Sequence, residues 1–143
     1  MSDIVVTVPK TFTHPCAPGK QGLAAWIAEG DAAGDEPGRN FLHANDVEWE
    51  FSVYGARPVI ASGERVYVVC EGKLRGFAPL ERLEFSARRS TAPRLYGLGR
   101  SVFVRKGGAV AVTIPEAITG FRGWRYRWWD RSIEVPFPDW KTP

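Results

Sequence analysis

The stretch Arg122-Gly123-Trp124-Arg125-Tyr126-Arg127-Trp128-Trp129-Asp130-Arg131 interleaves guanidinium groups with aromatic rings. Guanidinium forks pair with phosphate oxygens, and flat rings stack on bases or sugars. On one extended segment the two side-chain types can meet a single-stranded or flipped nucleotide together. The competing reading is a dry Trp face with solvated arginines, or arginines stacked on the rings as cation–π pairs. A second group is Trp26 followed by Glu29-Gly30-Asp31. A ring beside carboxylates can hold a base and accept from its N–H groups, and a carboxylate in a dry pocket can serve as a general base. The alternative is a core tryptophan next to a solvated loop. Further arginines at Arg75, Arg88 and Arg89 join Arg122, Arg125 and Arg127 as candidates for phosphate contact.

Other chemistry is weakly signalled. Glu29, Asp31, Asp35 and Glu36 supply oxygen atoms without the spacing of a calcium loop. His14 and His43 have no paired histidine at metal-ligand spacing, so no metal site is expected. Cys16 and Cys70 lack a CxxC arrangement and read as free thiols. No GxSxG elbow, GxGxxG turn or Walker loop occurs, so no cofactor is expected and a catalytic role is not favoured.

The elements that must position these residues are mostly strands. Residues 4–8 are β-branched and end at Pro9. Residues 23–28 form an apolar run of strand length whose alanines leave a helix open. Residues 30–45 read as a long polar loop. Over 47–54, Val47, Trp49, Phe51 and Val53 share one face of an alternating strand. Residues 65–70 and 73–85 flank Glu71-Gly72 as a hairpin, with Pro79 marking an edge or a bulge. Residues 86–99 read as a basic loop. Residues 102–105 and 109–114 flank Lys106-Gly107-Gly108 as a second hairpin. Pro115 can open a short helical turn. Residues 121–129 resume period two, with Trp124, Tyr126 and Trp128 on one face and Phe121, Arg125, Arg127 and Trp129 on the other. The expected architecture is α+β but mainly β, a small twisted barrel of about seven strands with short helical turns. One domain spans residues 1–143, its core at about 4–130 and an extended tail at 132–143.

Composition agrees with that architecture. The chain has 143 residues, 44% hydrophobic and 24% charged, which is globular usage. Its 15 Gly and 11 Pro disfavour a helical bundle. No run approaches the roughly 18 apolar residues of a membrane helix, and no apolar leader is evident, so a cytoplasmic, non-membrane protein is expected. The net charge of +3 conceals an uneven distribution. Residues 1–71 hold 5 Lys/Arg against 10 Asp/Glu, whereas residues 72–131 hold 13 against 4. The basic half predicts an anionic partner, RNA or DNA being the usual one, unless the two halves pair with each other in the fold. Oligomeric state is left open.

A resemblance adds to this. Gly63-Glu64-Arg65-Val66-Tyr67-Val68-Val69, followed by Leu74-Arg75-Gly76-Phe77-Ala78-Pro79-Leu80, resembles the hairpin of PUA-like domains, in particular the EVE and ASCH groups. Trp26-Ile27 is similar to the aromatic strand of EVE domains. The resemblance covers residues 23–85 and implies a small pseudobarrel associated with RNA or with modified bases, with Trp26 as a pocket aromatic. The G-x-K-x-x-E signature of ASCH domains is missing, so no catalytic set is carried over. The leading expectation is a nucleic-acid or nucleobase-binding module. A small enzyme using Glu29 or Asp31 as base, or an oligomeric interaction domain using exposed tryptophans, is the alternative.

Overall fold

A computed structural model describes residues 2–13, 18–26, 49–87, 98–105 and 110–137, with the backbone alone for 49–51. The fold is mainly β. Strands β1 (Ile4–Thr7), β2 (Trp49–Ala56), β3 (Arg65–Cys70), β4 (Lys73–Ala87), β5 (Leu98–Arg105) and β7 (Trp124–Tyr126) form one sheet in the order β2-β5-β4-β3-β1-β7. Strands β6 (Val112–Thr113) and β8 (Val135–Pro136) form a separate two-stranded ribbon. No helix among the described residues is long and apolar enough to cross a membrane.

The expected hairpin is present. β3 and β4 pair antiparallel around Glu71 and Gly72, both in the left-handed region at φ 53° and 79°. That is the primed turn whose twist matches its strands. Its register then shifts: Val68 faces Gly76 but Val69 faces Leu74, so Arg75 is an extra, bulged residue. A one-residue slip moves side chains to the other face. Leu74 and Phe77 therefore point to the same side although they lie an odd number of residues apart. At Pro79 β4 leaves β3, and from Leu80 onward it pairs with β5. A residue without an N–H fits that hand-over, and a second register shift follows between Leu80 and Arg82.

The sheet curls so that its edge strands meet. Trp124 Nε1 donates to the Ala56 carbonyl at 2.7 Å, and the Val59 amide donates to the Tyr126 hydroxyl at 3.1 Å. A Cβ on Gly123 would lie 3.3 Å from the Tyr54 carbonyl oxygen, so the β2 and β7 backbones nearly touch there. The result is a nearly closed, barrel-like sheet. Its interior holds Ile4, Val6, Val66, Val68, Cys70, Ala78, Leu80, Phe103, Val53 and Trp26. A second core lies on the outside of β1, β3 and β4. Here Val5, Tyr67, Val69, Leu74 and Phe77 are covered by Ile114, Ile118 and Trp129 from the C-terminal segment.

Four sequence expectations are corrected. Residues 23–26 take the helical option rather than a strand, with the Trp26 amide bonded to the Gly22 carbonyl at 3.1 Å. β1 already has β3 and β7 as neighbours, so no edge there is open to another strand. The second hairpin is not formed, because β5 is flanked on both sides by β2 and β4. The chain after it pairs elsewhere: Val110 bridges to Phe77, and β6 pairs with β8. Pro115 opens a bend rather than a helical turn, and Ile118 then donates to the Gly72 carbonyl. The basic loop is also shorter than expected, since Ser86, Ala87, Leu98 and Gly99 belong to β4 and β5.

Gly99 is required by this packing. A Cβ there would sit 2.2 Å from the Ser86 carbonyl oxygen on β4. Gly99→Ala is expected to destabilise by about 1–3 kcal/mol through overpacking between two backbones. An unchanged denaturation midpoint would show that β4 and β5 are not this close.

Candidate nucleic-acid interface

The outer face of the sheet at the β2–β7 junction carries the candidate surface. Val53 of β2 points into the barrel, so Tyr54 points out, and it is 74% exposed. Its cross-strand partner on β5 is Arg100, also exposed. Directly paired residues in a sheet share a face and lie within side-chain reach. Across the junction, Arg125 of β7 pairs with Val5, whose side chain is on the outer side, and its guanidinium lies 4.4 Å from the Phe121 ring centroid. Trp128 is 45% exposed and packs edge-on against Phe121, its Nε1 donating to Glu116 at 3.0 Å. Arg122 is exposed beside Gly123. The outer side of the barrel thus carries exposed Arg100, Tyr54, Arg125 and Trp128, with half-buried Phe121 between Arg125 and Trp128.

The period-two reading of residues 121–129 holds only through Tyr126. Trp124 and Tyr126 lie on one side, 4.7 Å apart edge-to-face, with Trp124 half-buried against the barrel interior. β7 ends at Tyr126, and the Arg127 amide bonds to the Asp3 carbonyl. Beyond that point the chain leaves the strand. Trp128 therefore sides with Phe121 rather than with Trp124, which corrects the expected grouping.

Two of the proposed phosphate-contacting arginines are turned inward. Arg75 is 7% exposed; its Nε donates to the Cys70 carbonyl at 3.3 Å, and the guanidinium lies over Phe137. Arg127 donates from Nε to Asp3 at 2.9 Å and from Nη1 to the Trp129 carbonyl. Asp3 also accepts the Arg65 amide and two bonds from Arg131. Burial acts to raise its pKa, but these donors outweigh burial and hold it below the usual carboxylate value.

The proposed aromatic residues divide similarly. Trp26 is fully buried inside the barrel, with the Arg105 guanidinium 5.1 Å from its ring. Trp129 is buried outside it, edge-on to Tyr67, and donates to Glu134 at 2.9 Å. Glu134 further accepts from the Tyr67 hydroxyl at 2.6 Å and from Arg65 at 3.1 Å. Burial and the bond to Glu134 push the Tyr67 phenol up to about 12. Glu29, Asp31, Arg88 and Arg89 lie outside the described residues, as do Cys16, His14, His43, Asp35 and Glu36. Among the described residues no group of His, Cys, Asp and Glu could hold a metal ion.

Tyr54 and Arg100 were not among the candidates from sequence. The signal was present in part: Tyr54 is the out-of-phase residue of the 47–54 alternation. Arg100 became its neighbour only through the β2–β5 register.

No known family matches the chain, and neither a curated protein nor a solved structure is found to be similar to it.

Proposed function

We propose that this protein is a nucleic-acid-binding module of PUA-like type, which takes a single strand across the outer face at the β2–β7 junction. The observation that carries the proposal is the pairing of exposed Tyr54 with exposed Arg100, continued by Arg125, Phe121 and Trp128 on the same side. Rings supply stacking surfaces that tolerate any base, and the guanidinium groups supply phosphate contacts. Arg122 and Arg125 remain available from the proposed set, and Arg100 joins them. The PUA-like part of the proposal rests on the resemblance of residues 63–80.

Fluorescence anisotropy with single-stranded RNA and DNA over a salt series tests this. Tyr54→Ala is expected to cost about 1–3 kcal/mol of binding, the usual worth of one base–aromatic stack. Arg100→Gln is expected to weaken binding of all sequences alike and to reduce the salt slope by about 1. Absence of binding at low salt, where counterion release favours it most, would overturn the proposal.

A further inference from the structure

β2 is paired with β5 along all of its length and β7 with β1 over three residues, but among the described residues no ladder joins β2 to β7. The barrel is shut there by single bonds. Trp124 Nε1 donates to the Ala56 carbonyl, the Val59 amide donates to the Tyr126 hydroxyl, and the Ser2 amide donates to the Val59 carbonyl at 3.3 Å. Val59 and Tyr126 are exposed, so water competes for their bond. A cavity of about 350 Å³ lined by Arg57, Pro58, Val59, Ile60 and Leu83 lies at this seam, so one side of residues 57–60 is not packed against side chains. β3, in contrast, has ladders on both sides, and its Val66, Tyr67 and Val68 are fully buried. Segments with few buried contacts and exposed hydrogen bonds open at lower free energy than core strands. We infer that the β2–β7 seam opens as a unit while the rest of the barrel stays folded, and that a single strand bound across the outer face holds it shut. The second half rests on the nucleic-acid reading above. Tyr54 and Arg100 stand on the β2–β5 side of the seam, whereas Arg125, Phe121 and Trp128 stand on the β7 side. A strand that touches both sides fits only the closed seam, so binding and closure stabilise each other. Trp124 and Tyr126 pair with Val6 and Ile4 of the interior, so they face away from the bound strand and act as positioning residues.

Hydrogen exchange of the full chain, followed by NMR, tests both halves. In the free protein the Val59 amide should be protected, yet exchange about a hundredfold or more faster than the Tyr67 amide, because it opens without global unfolding. Trp124→Phe keeps a ring but loses the indole donor, and should speed Val59 exchange about two- to tenfold, the worth of one hydrogen bond. Tyr126→Phe should likewise speed exchange of the Trp124 indole N–H, although that bond itself is untouched. Oligouridylate at about a hundred times its Kd, set by anisotropy, should slow Val59 exchange about a hundredfold. The opening of a unit is overturned by Val59 exchanging only as fast as Tyr67, or by neither variant altering exchange at the other's bond. The clamping is overturned by a bound oligonucleotide that slows Tyr67 and leaves Val59 as it was, since such a strand lies off the seam or on one side of it. An oligonucleotide that shows no binding overturns the nucleic-acid reading and the clamping with it, while the free-protein comparisons still decide whether the seam opens.

Discussion

Asp3→Ala is expected to destabilise the protein by about 3–5 kcal/mol in chemical denaturation, the cost of removing one partner from a buried charge cluster. The Asp3 residue is 2% exposed and takes up donors from three places: the Arg65 amide at 2.9 Å, Arg127 Nε at 2.9 Å, and Arg131 Nη2 at 2.7 Å. Without the carboxylate, the partly buried Arg127 keeps a charge that neither water nor protein fully satisfies, and only the backbone bond from the Arg127 amide to the residue 3 carbonyl still ties the start of β1 to the chain after β7. Because the folded protein holds the carboxyl below its ordinary value of 3.8, the contribution is complete above that pH and disappears as pH falls through the lowered value. Asp3→Asn should therefore flatten the acid limb of the stability curve below about pH 4, where wild type loses its share. An Asp3→Ala protein with wild-type midpoint, or an unchanged acid limb in Asp3→Asn, would show that the carboxylate is not held in this way.

Glu134→Ala is the second large effect, again about 3–5 kcal/mol. One buried carboxylate joins Tyr67, Trp129 and Arg65, and these lie on the outer core that the C-terminal segment covers. Removing it orphans a phenol O–H and an indole N–H at once. The loss has a spectroscopic signature beyond stability. Tyr67 titrates near 12 partly because its proton is held by Glu134, so in Glu134→Ala its ultraviolet titration should move down toward the ordinary value of 10. Near-ultraviolet dichroism should change at the same time, since Trp129 packs edge-on to Tyr67 at 5.1 Å between ring centroids. A destabilised variant whose Tyr67 titration does not move would mean that burial alone raises the phenol.

Local patterns and distant contacts differed in how well they could be read. The Glu71-Gly72 hairpin follows from turn chemistry and β-branched flanks, both carried by neighbouring residues. The outward phase of Tyr54 follows from alternation. The β5 edge was not legible in the same way. Residues 109–114 carry good hairpin chemistry after residues 102–105, yet both sides of β5 are taken by strands distant in sequence. The Arg75 bulge is a further case. Alternation assigns Leu74 and Phe77 to opposite faces, and one inserted residue places them together.

The arginine-and-tryptophan stretch gives the sharpest contrast. Its composition alone determined that residues 122–131 hold both phosphate-binding and stacking side chains. It also identified a basic half and an acidic half that could either pair or bind a partner. The tertiary structure decided which residues do which. Arg127 and Arg131 close on Asp3, 124 and 128 residues away, so part of the charge asymmetry is neutralised within the fold. Trp129 turns into the outer core, Trp128 remains at the surface, and Arg125 faces outward over Phe121. The reason is physical. Side-chain type is local, but which side chains lose water depends on where β7 ends against β1 and on what buried carboxylate lies within reach, and both are set by residues far along the chain.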